Sequence, residues 1–289
     1  MERDYSGELL RFIQEHPSVY HVIEGQRRIL LEAGYEQLLE SQHWTLREGG
    51  KYFLTRNHSA LIAFQVPKKR FRGFMLMASH SDSPALKVKE NPEITVGGLY
   101  KKLNVELYGG ALLAPWLDRP LSVAGRLLVR TSEGVRMQLV NVDRDLLLIP
   151  SLAIHMNRSV NDGYAYKVQR DLLPLYGAAE APDLTALVAE TAGISPESVI
   201  GHDLFVYNRQ APSIWGADRE FTNRSCPITD WTICSVPSPP CAAFWRAPRR
   251  KAFRSMWCLT TRRSARPPGR ELLPPSWKTP SGGLRRRLA

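Results

Sequence analysis

Residues Phe71–Lys89 read "FRGFMLMASHSDSPALKVK", and the fold turns on how this stretch is read. Phe74–Met77 is an unbroken apolar run, the pattern of a strand buried on both faces, and the strand is expected to end at His80. Asp82 follows two residues later. On extended chain, residues two apart project to the same side, so a strand end holds His80 and Asp82 towards one neighbourhood. Such a pair lets an imidazole bind a metal while the carboxylate orients it. A single histidine among the seven in the chain is more often a hydrogen-bonded surface or core residue, so the pair needs support from elsewhere.

On the N-terminal side, Leu9, Leu10, Phe12, Ile13, Ile23, Ile29, Leu30, Leu31, Leu38 and Leu39 recur at helical spacing between Tyr5 and about Gln42. They predict two helices separated near Pro17. Between Trp44 and Val66 the runs "YFLT" and "ALIAFQV", with "EGG" and "RNHS" as turns, predict a hairpin. On the C-terminal side, "ITVGGLY", "VELYGG" and "RPLSVAGRLLVR" are short β-like runs between Glu90 and about Arg130. Helical stretches at Asp183–Thr191 and Pro196–Ile200 precede a strand in "HDLFVYN". Helices packed on strands with a β-rich middle make an α/β fold.

The 289 residues are 43% hydrophobic, enough to bury a substantial core. No apolar run of about 18 residues and no basic-then-apolar leader is visible, so the sequence predicts a cytoplasmic protein without a membrane partner. The net charge of +11 would ordinarily point to nucleic acid, but its location matters. Residues 223–289 hold 14 of the 39 basic and 2 of the 28 acidic side chains, leaving the body at −1 and this tail at +12. The tail also holds all four cysteines, four of seven tryptophans and ten of 21 prolines. Cys226, Cys234, Cys241 and Cys258 lack the close-paired spacing of a zinc or disulfide framework. Periodicity is lost after Thr222, and the prolines forbid long regular elements.

"ASHSDSPALKVK", "VELYGGALLAPWLDRPLSVAGRLLVR", "IPSLAIHMNRSVNDGYAYKVQRDLLPLYG" and "GHDLFVYNRQAPSIWGADREF", in this order and at these separations, resemble the aspartyl aminopeptidase family of dinuclear zinc exopeptidases. The resemblance covers residues 5–221. It implies a zinc-exopeptidase-like α/β peptidase domain, here residues 1–90 and 201–222, interrupted by an inserted β-rich dimerisation domain at residues 91–200. It assigns zinc binding to His80 and orientation of the catalytic site to Asp82, with Ser81 replacing the family's usual threonine. His155 is assigned to metal binding or to substrate contact across a dimer; a satisfied histidine in a packed interface is the plainer alternative. Two zinc ions, peptide substrates with acidic N-terminal residues, and a homodimer or larger homo-oligomer are further implications, with neither nucleic acid nor membrane as a partner.

Two zinc ions need several carboxylates and another histidine, which the family carries in an Arg-Leu-Asp-Asn-Leu-like segment, in Asp-Asn-Glu-Glu-Val-Gly and beyond. None is readable after Thr222. Thr229–Cys234, "TDWTIC", is encoded by ACN-GAY-TGG-ACN-ATH-TGY. Joining the last base of each codon to the first two of the next gives NGA-YTG-GAC-NAT-HTG, which allows Arg first and forces Leu-Asp. The same shift over Cys258–Pro268 permits Phe-Asp-Asn-Glu-Glu-Val-Gly-Ser-Ala-Thr, with Arg262 and Arg263 standing where the glutamates belong. A slip of frame between Thr222 and Thr229 accounts for both and for the tail's composition. It leaves the zinc site incomplete and predicts an inactive chain with a largely disordered tail. The competing reading is a non-catalytic protein whose basic tail binds nucleic acid or an anionic surface.

Overall fold

A computed structural model describes residues 4–68, 73–217, 221–223 and 256–259. Asp4 begins the first helix by accepting a hydrogen bond from the Gly7 N–H at 2.8 Å, and α1 (Tyr5–Glu15) stops before Pro17. α2 (Val19–Glu32) follows, burying Tyr20, Ile23 and Leu30. The two helices around Pro17 are those the spacing predicts, but the second ends ten residues before Gln42. Gly34 takes φ 75°, a left-handed conformation that closes a helix at little cost only for glycine. Leu38 instead follows a short strand, β1 (Glu36–Gln37), and joins a β-sheet core.

β2 (Lys51–Arg56) and β3 (Ala60–Gln65) form the predicted hairpin, turning through Asn57 and His58 at φ 52° and 54°. β1 pairs with β2 in parallel. One set of hairpin side chains, Phe53, Leu61 and Ala63, packs with Ile23 and Leu30 of α2. Another set, Tyr52, Leu54 and Phe64, closes over Leu38. Alternation along the two strands thus buries both faces of a small sheet.

β4 (Met75–Ala78) is the apolar strand expected before His80. It is not buried. Phe74, Met75, Leu76 and Met77 are all exposed, and the strand ends at Ala78 rather than at His80. The sequence pattern is that of a strand covered on both faces; the described residues supply no layer to cover it.

From Ala85 the chain builds a six-stranded antiparallel sheet from β5 (Ala85–Val96), β6 (Tyr100–Tyr108), β7 (Leu121–Thr131), β8 (Gly134–Asn141), β9 (Leu175–Ala178) and β10 (Val199–Asn208). Its order is β8-β7-β10-β5-β6-β9. Both ends of the expected 91–200 segment therefore fall inside strands, since β5 starts at Ala85 and β10 runs to Asn208. Pro92 lies within β5 where the register shifts between Val88 and Glu93, a bulge that spares a residue with no N–H to donate. The short helix α3 (Val168–Asp171) and α4 (Leu184–Ala192) lie between β8 and β10 in the chain. Leu184, Leu187 and Val188 of α4 pack into the sheet core with Leu86, Val105 and Leu127. Each such side chain contributes roughly 1.5–3 kcal/mol on burial, more than a nine-residue helix gains on its own.

The centre of the sheet is covered on its other side by α2. Tyr20 Oη donates to Asp203 Oδ2 of β10 at 3.0 Å, and the Arg126 guanidinium of β7 reaches the same oxygen at 2.8 Å while lying 4.5 Å over the Tyr20 ring. Lys87 Nζ sits 3.0 Å from Asp203 Oδ1. Burial opposes a charged Asp203, but hydrogen bonds from Lys87 and Arg126 outweigh it and hold the carboxyl below its usual range. Two short strands follow, β11 (Ser213–Trp215) pairing with β12 (Phe221–Asn223). In the tail, β13 (Met256–Leu259) pairs in parallel with β4, one strand where the sequence offers no sustained strand pattern. The expected disorder of the rest of the tail falls outside the described residues. No described helix is long and apolar enough to cross a membrane.

Candidate active site

The link from β4 to β5, Ser79–Pro84, is short and held at both faces. Ser81 is buried and its Oγ donates to the Ser59 carbonyl in the β2–β3 turn at 3.1 Å. A hydroxyl in place of threonine's therefore suffices for this anchor. His80 Nδ1 lies 3.0 Å from Asp82 Oδ1. Tyr108, at the end of β6, donates its hydroxyl to Asp82 Oδ2 at 2.6 Å. The Asp82 side chain is 10% exposed and that of His80 44%, so an almost enclosed carboxylate steadies a half-open ring. With the carboxylate accepting from Nδ1–H, Nε2 carries the free lone pair, the arrangement found behind metal-binding histidines.

His80 and Asp82 are thus brought together as their spacing predicts, although past the strand end rather than on it. His155 is not. It lies in a 3-10 turn, Ile154–Met156, and no hydrogen bond or ion pair joins it to His80 or Asp82 among the described residues. Leu152, Ile154 and Met156 around it are all exposed. Tyr108 is the site residue that sequence reasoning does not single out. Its tie to Asp82 spans 26 positions and depends on the β5–β6 register, Ala85 opposite Tyr108, which no local pattern reveals.

A cleft of about 520 Å³ opens beside this link, walled by Phe12, His16, Tyr108, Trp116, Phe205 and Arg209. Asp82 lines it and His80 does not. Phe12 and His16 stack at 4.2 Å, and His16 Nδ1 contacts the Phe12 carbonyl at 2.7 Å. Burial pushes the His16 imidazole below its ordinary pKa.

The profile of the family described as aminopeptidase I zinc metalloprotease (M18) matches residues 12–234. The chain belongs to the M18 family. Among its relatives, the probable M18 family aminopeptidase 2 of Clostridium acetobutylicum is 39% identical over 233 residues, covering 78% of this chain and 54% of that protein. The one from Ectopseudomonas mendocina is also 39% identical, over 222 residues, covering 74% and 52%. Chaetomium thermophilum mApe1 superposes with a TM-score of 0.68 at 30% identity, over 74% of this chain and 53% of that one. The S. cerevisiae mApe1 dodecamer gives 0.63 at 26% identity, over 75% and 50%. The chain therefore spans about half the length of the M18 relatives it matches.

M18 membership implies zinc, so the residues present can be tested against that ion. Zinc takes four ligands or more from imidazole, thiolate and carboxylate. Among the described residues no group of three or more histidine, cysteine, aspartate or glutamate side chains could hold a metal ion. His80 with Asp82 beside it is one imidazole held by one carboxylate. It does not amount to a zinc centre.

Proposed function

We propose that this chain derives from an M18 aminopeptidase that removes acidic N-terminal residues from peptides in the cytoplasm, with His80 as a zinc ligand and Asp82 orienting it. The observation that carries this reading is the connected set His80–Asp82–Tyr108 at the end of an apolar strand. A carboxylate enclosed between a ring nitrogen and a phenol has little use in a mere surface turn. It has one where an imidazole must hold a fixed direction. Among the described residues too few ligands converge for two zinc ions, and no Asp-Asn-Glu-Glu segment is readable in the frame as written, so the chain is inactive.

The missing ligands trace to a slip of reading frame between Thr222 and Thr229. β13 adds support that codon degeneracy cannot dilute. Met and Trp each have a single codon, so Met256-Trp257-Cys258 is ATG-TGG-TGY, and the alternate frame forces Val-Val at this place. Two valines suit a strand better than Met-Trp-Cys does. Leu259 pairs with Ala78, so the last residue of β13 lies level with the strand end two residues before His80. In the alternate frame the residues that follow permit Asp-Asn-Glu-Glu, carboxylates of the kind a zinc site needs beside the His80 imidazole. The family match itself stops at residue 234. A tail translated out of frame needs no nucleic-acid or membrane partner, since its arginines arise without selection for binding.

The β-rich unit remains the dimer-forming part. Its sheet is complete, and the exposed Leu152, Ile154 and Met156 give His155 an apolar setting suited to a second subunit, through which His155 would reach substrate. Sequencing the locus through the codons for Thr222–Thr229 tests the frame. A single-base gain or loss there, together with aminopeptidase activity on Asp or Glu N-terminal peptides once it is corrected, supports the reading. An uninterrupted frame, or a corrected chain with no such activity, overturns it.

A further inference from the structure

Asn57 and His58 turn the β2–β3 hairpin with both residues in the left-handed region, at φ 52° and 54°, which residues other than glycine occupy only at a cost. Such a turn persists where its surroundings over-determine it, and here the carbonyls on both sides of His58 are held. The Asn57 carbonyl accepts from the Arg126 guanidinium of β7 at 3.0 Å. The Ser59 carbonyl accepts from the buried Ser81 Oγ at 3.1 Å. Ser81 is the next residue after His80, so this turn seats the link that carries the imidazole. Arg126 is itself fixed. Its Nε and Nη2 donate to Asp203 Oδ2 at 3.0 and 2.8 Å, its guanidinium lies 4.5 Å over the Tyr20 ring, and its side chain is 15% exposed.

We propose that Arg126 is a positioning residue for His80, acting through the β2–β3 turn and Ser81. The proposal deepens the reading of His80 as a zinc ligand and rests on it for its purpose, although the geometry involves no metal. Neutralising Asp203 does not call for the bond to Asn57, since Nε and Nη2 already meet that carboxylate. The third contact has a use if the turn must stay in one place. A guanidinium suits both tasks, because its planar fork spends two N–H directions on a carboxylate and keeps another for a carbonyl, whereas an ammonium is a point charge on a flexible stem. Tyr108 of β6 holds the same link on the Asp82 side. One sheet thus supports the link at two points, directly from β6 and through the turn from β7. Ser81 fixes the backbone beside His80 and Asp82 fixes its ring, so a loosened seat under Ser81 weakens the contact between Nδ1 and Asp82 Oδ1.

The test reads the His80 ring in the full chain without metal. Nitrogen-15 spectra of histidine-labelled protein at about pH 8.5, well above the ordinary histidine value, report which ring nitrogen carries the proton, and His80→Gln identifies the signals. The expected form is Nδ1–H, bonded to Asp82. Arg126→Lys keeps a cation beside Asp203 and gives up the fork, and it should lower the ratio of Nδ1–H to Nε2–H by about threefold or more, the weight of part of one hydrogen bond. Ser81→Ala should do the same. Arg126→Lys added to Ser81→Ala should change the ratio no further, because both act along one path. If Arg126→Lys does not fold, Arg126→Gln with Asp203→Asn, which removes the ion pair as a pair, takes its place. The proposal is overturned if the unaltered ring is not Nδ1–H, or if the Arg126 substitution lowers the melting temperature and leaves the ratio unchanged, as a purely structural role requires. It is overturned equally if that substitution acts as strongly with Ser81→Ala as without it, or if neither form folds. A ring that follows Arg126 in a chain whose frame-restored form binds no zinc keeps the positioning and drops the zinc reading; zinc bound at a ring indifferent to Arg126 does the reverse.

Discussion

His21 stands in the first turn of α2, 2.8 Å from Ser18 Oγ, where the positive end of the helix already disfavours a second cation. Burial, with His16 and Arg28 nearby, pushes its pKa from 6.5 to about 4. Above pH 6.5 neither folded nor unfolded chain is protonated here. Between about 6.5 and 4 the unfolded chain takes a proton that the folded chain refuses, so stability falls as pH falls, by at most roughly 3 kcal/mol. Denaturant titrations across that window should show this slope, and His21→Gln should flatten it. Asp203 acts in the same sense only lower, because its depressed carboxyl adds stability above its ordinary value of 3.8 and loses it as pH falls further. At the candidate site, Asp82→Asn removes the negative charge and one of the two acceptor oxygens shared between His80 and Tyr108. In a frame-restored chain it should weaken zinc binding about 10–100-fold in chelator competition. Tyr108→Phe, which leaves the carboxylate in place, should cost less. His80 and Asp82 were legible in the sequence because their contact is local. Tyr108 and the Tyr20–Asp203–Arg126 cluster were not, because each of those contacts depends on strand register or on how a helix docks.

At the scale of elements, period and turn chemistry carry most of the reading. α1, the β2–β3 hairpin and α4 fall where apolar spacing and punctuation place them, whereas α2 ends short of Gln42 and β10 begins at Val199, inside the Pro196–Ile200 stretch expected to be helical, of which only Pro196–Ser198 forms a 3-10 turn. β4 also falls in place, but its environment was misread. An apolar run specifies a strand that needs two covered faces, and says nothing of whether the covering residues are present. Leu76→Asp should therefore change the stability of the chain as written by less than about 0.5 kcal/mol in chemical denaturation. The same change in a frame-restored chain should destabilise strongly, as a charge buried without a partner does. β7 and β10 show the opposite situation. A Cβ on Gly125 would lie 2.0 Å from the Asp203 carbonyl oxygen, a backbone atom that cannot swing aside, so Gly125→Ala should cost more than about 2 kcal/mol and lower the melting temperature accordingly.

At the scale of the molecule, two well-packed units, the α1–α2 hairpin layer and the six-stranded sheet, join through Asp203, while one strand leading to His80 lies open. Family membership and α/β class were legible from four segments of sequence in register. The frame reading of the tail rests on the genetic code alone, because residues 223–289 carry no periodic pattern from which a structure could be argued. The central claim is that His80 is one ligand of a zinc site whose other ligands lie in the alternate frame. The most direct measurement is bound zinc per subunit, by metal analysis after dialysis, in the chain as written and in a chain with the frame restored before Thr229. The account predicts close to none in the first and two ions in the second, lost again on His80→Ala. Two tightly held zinc ions in the chain as written, or none in the restored chain, would contradict it.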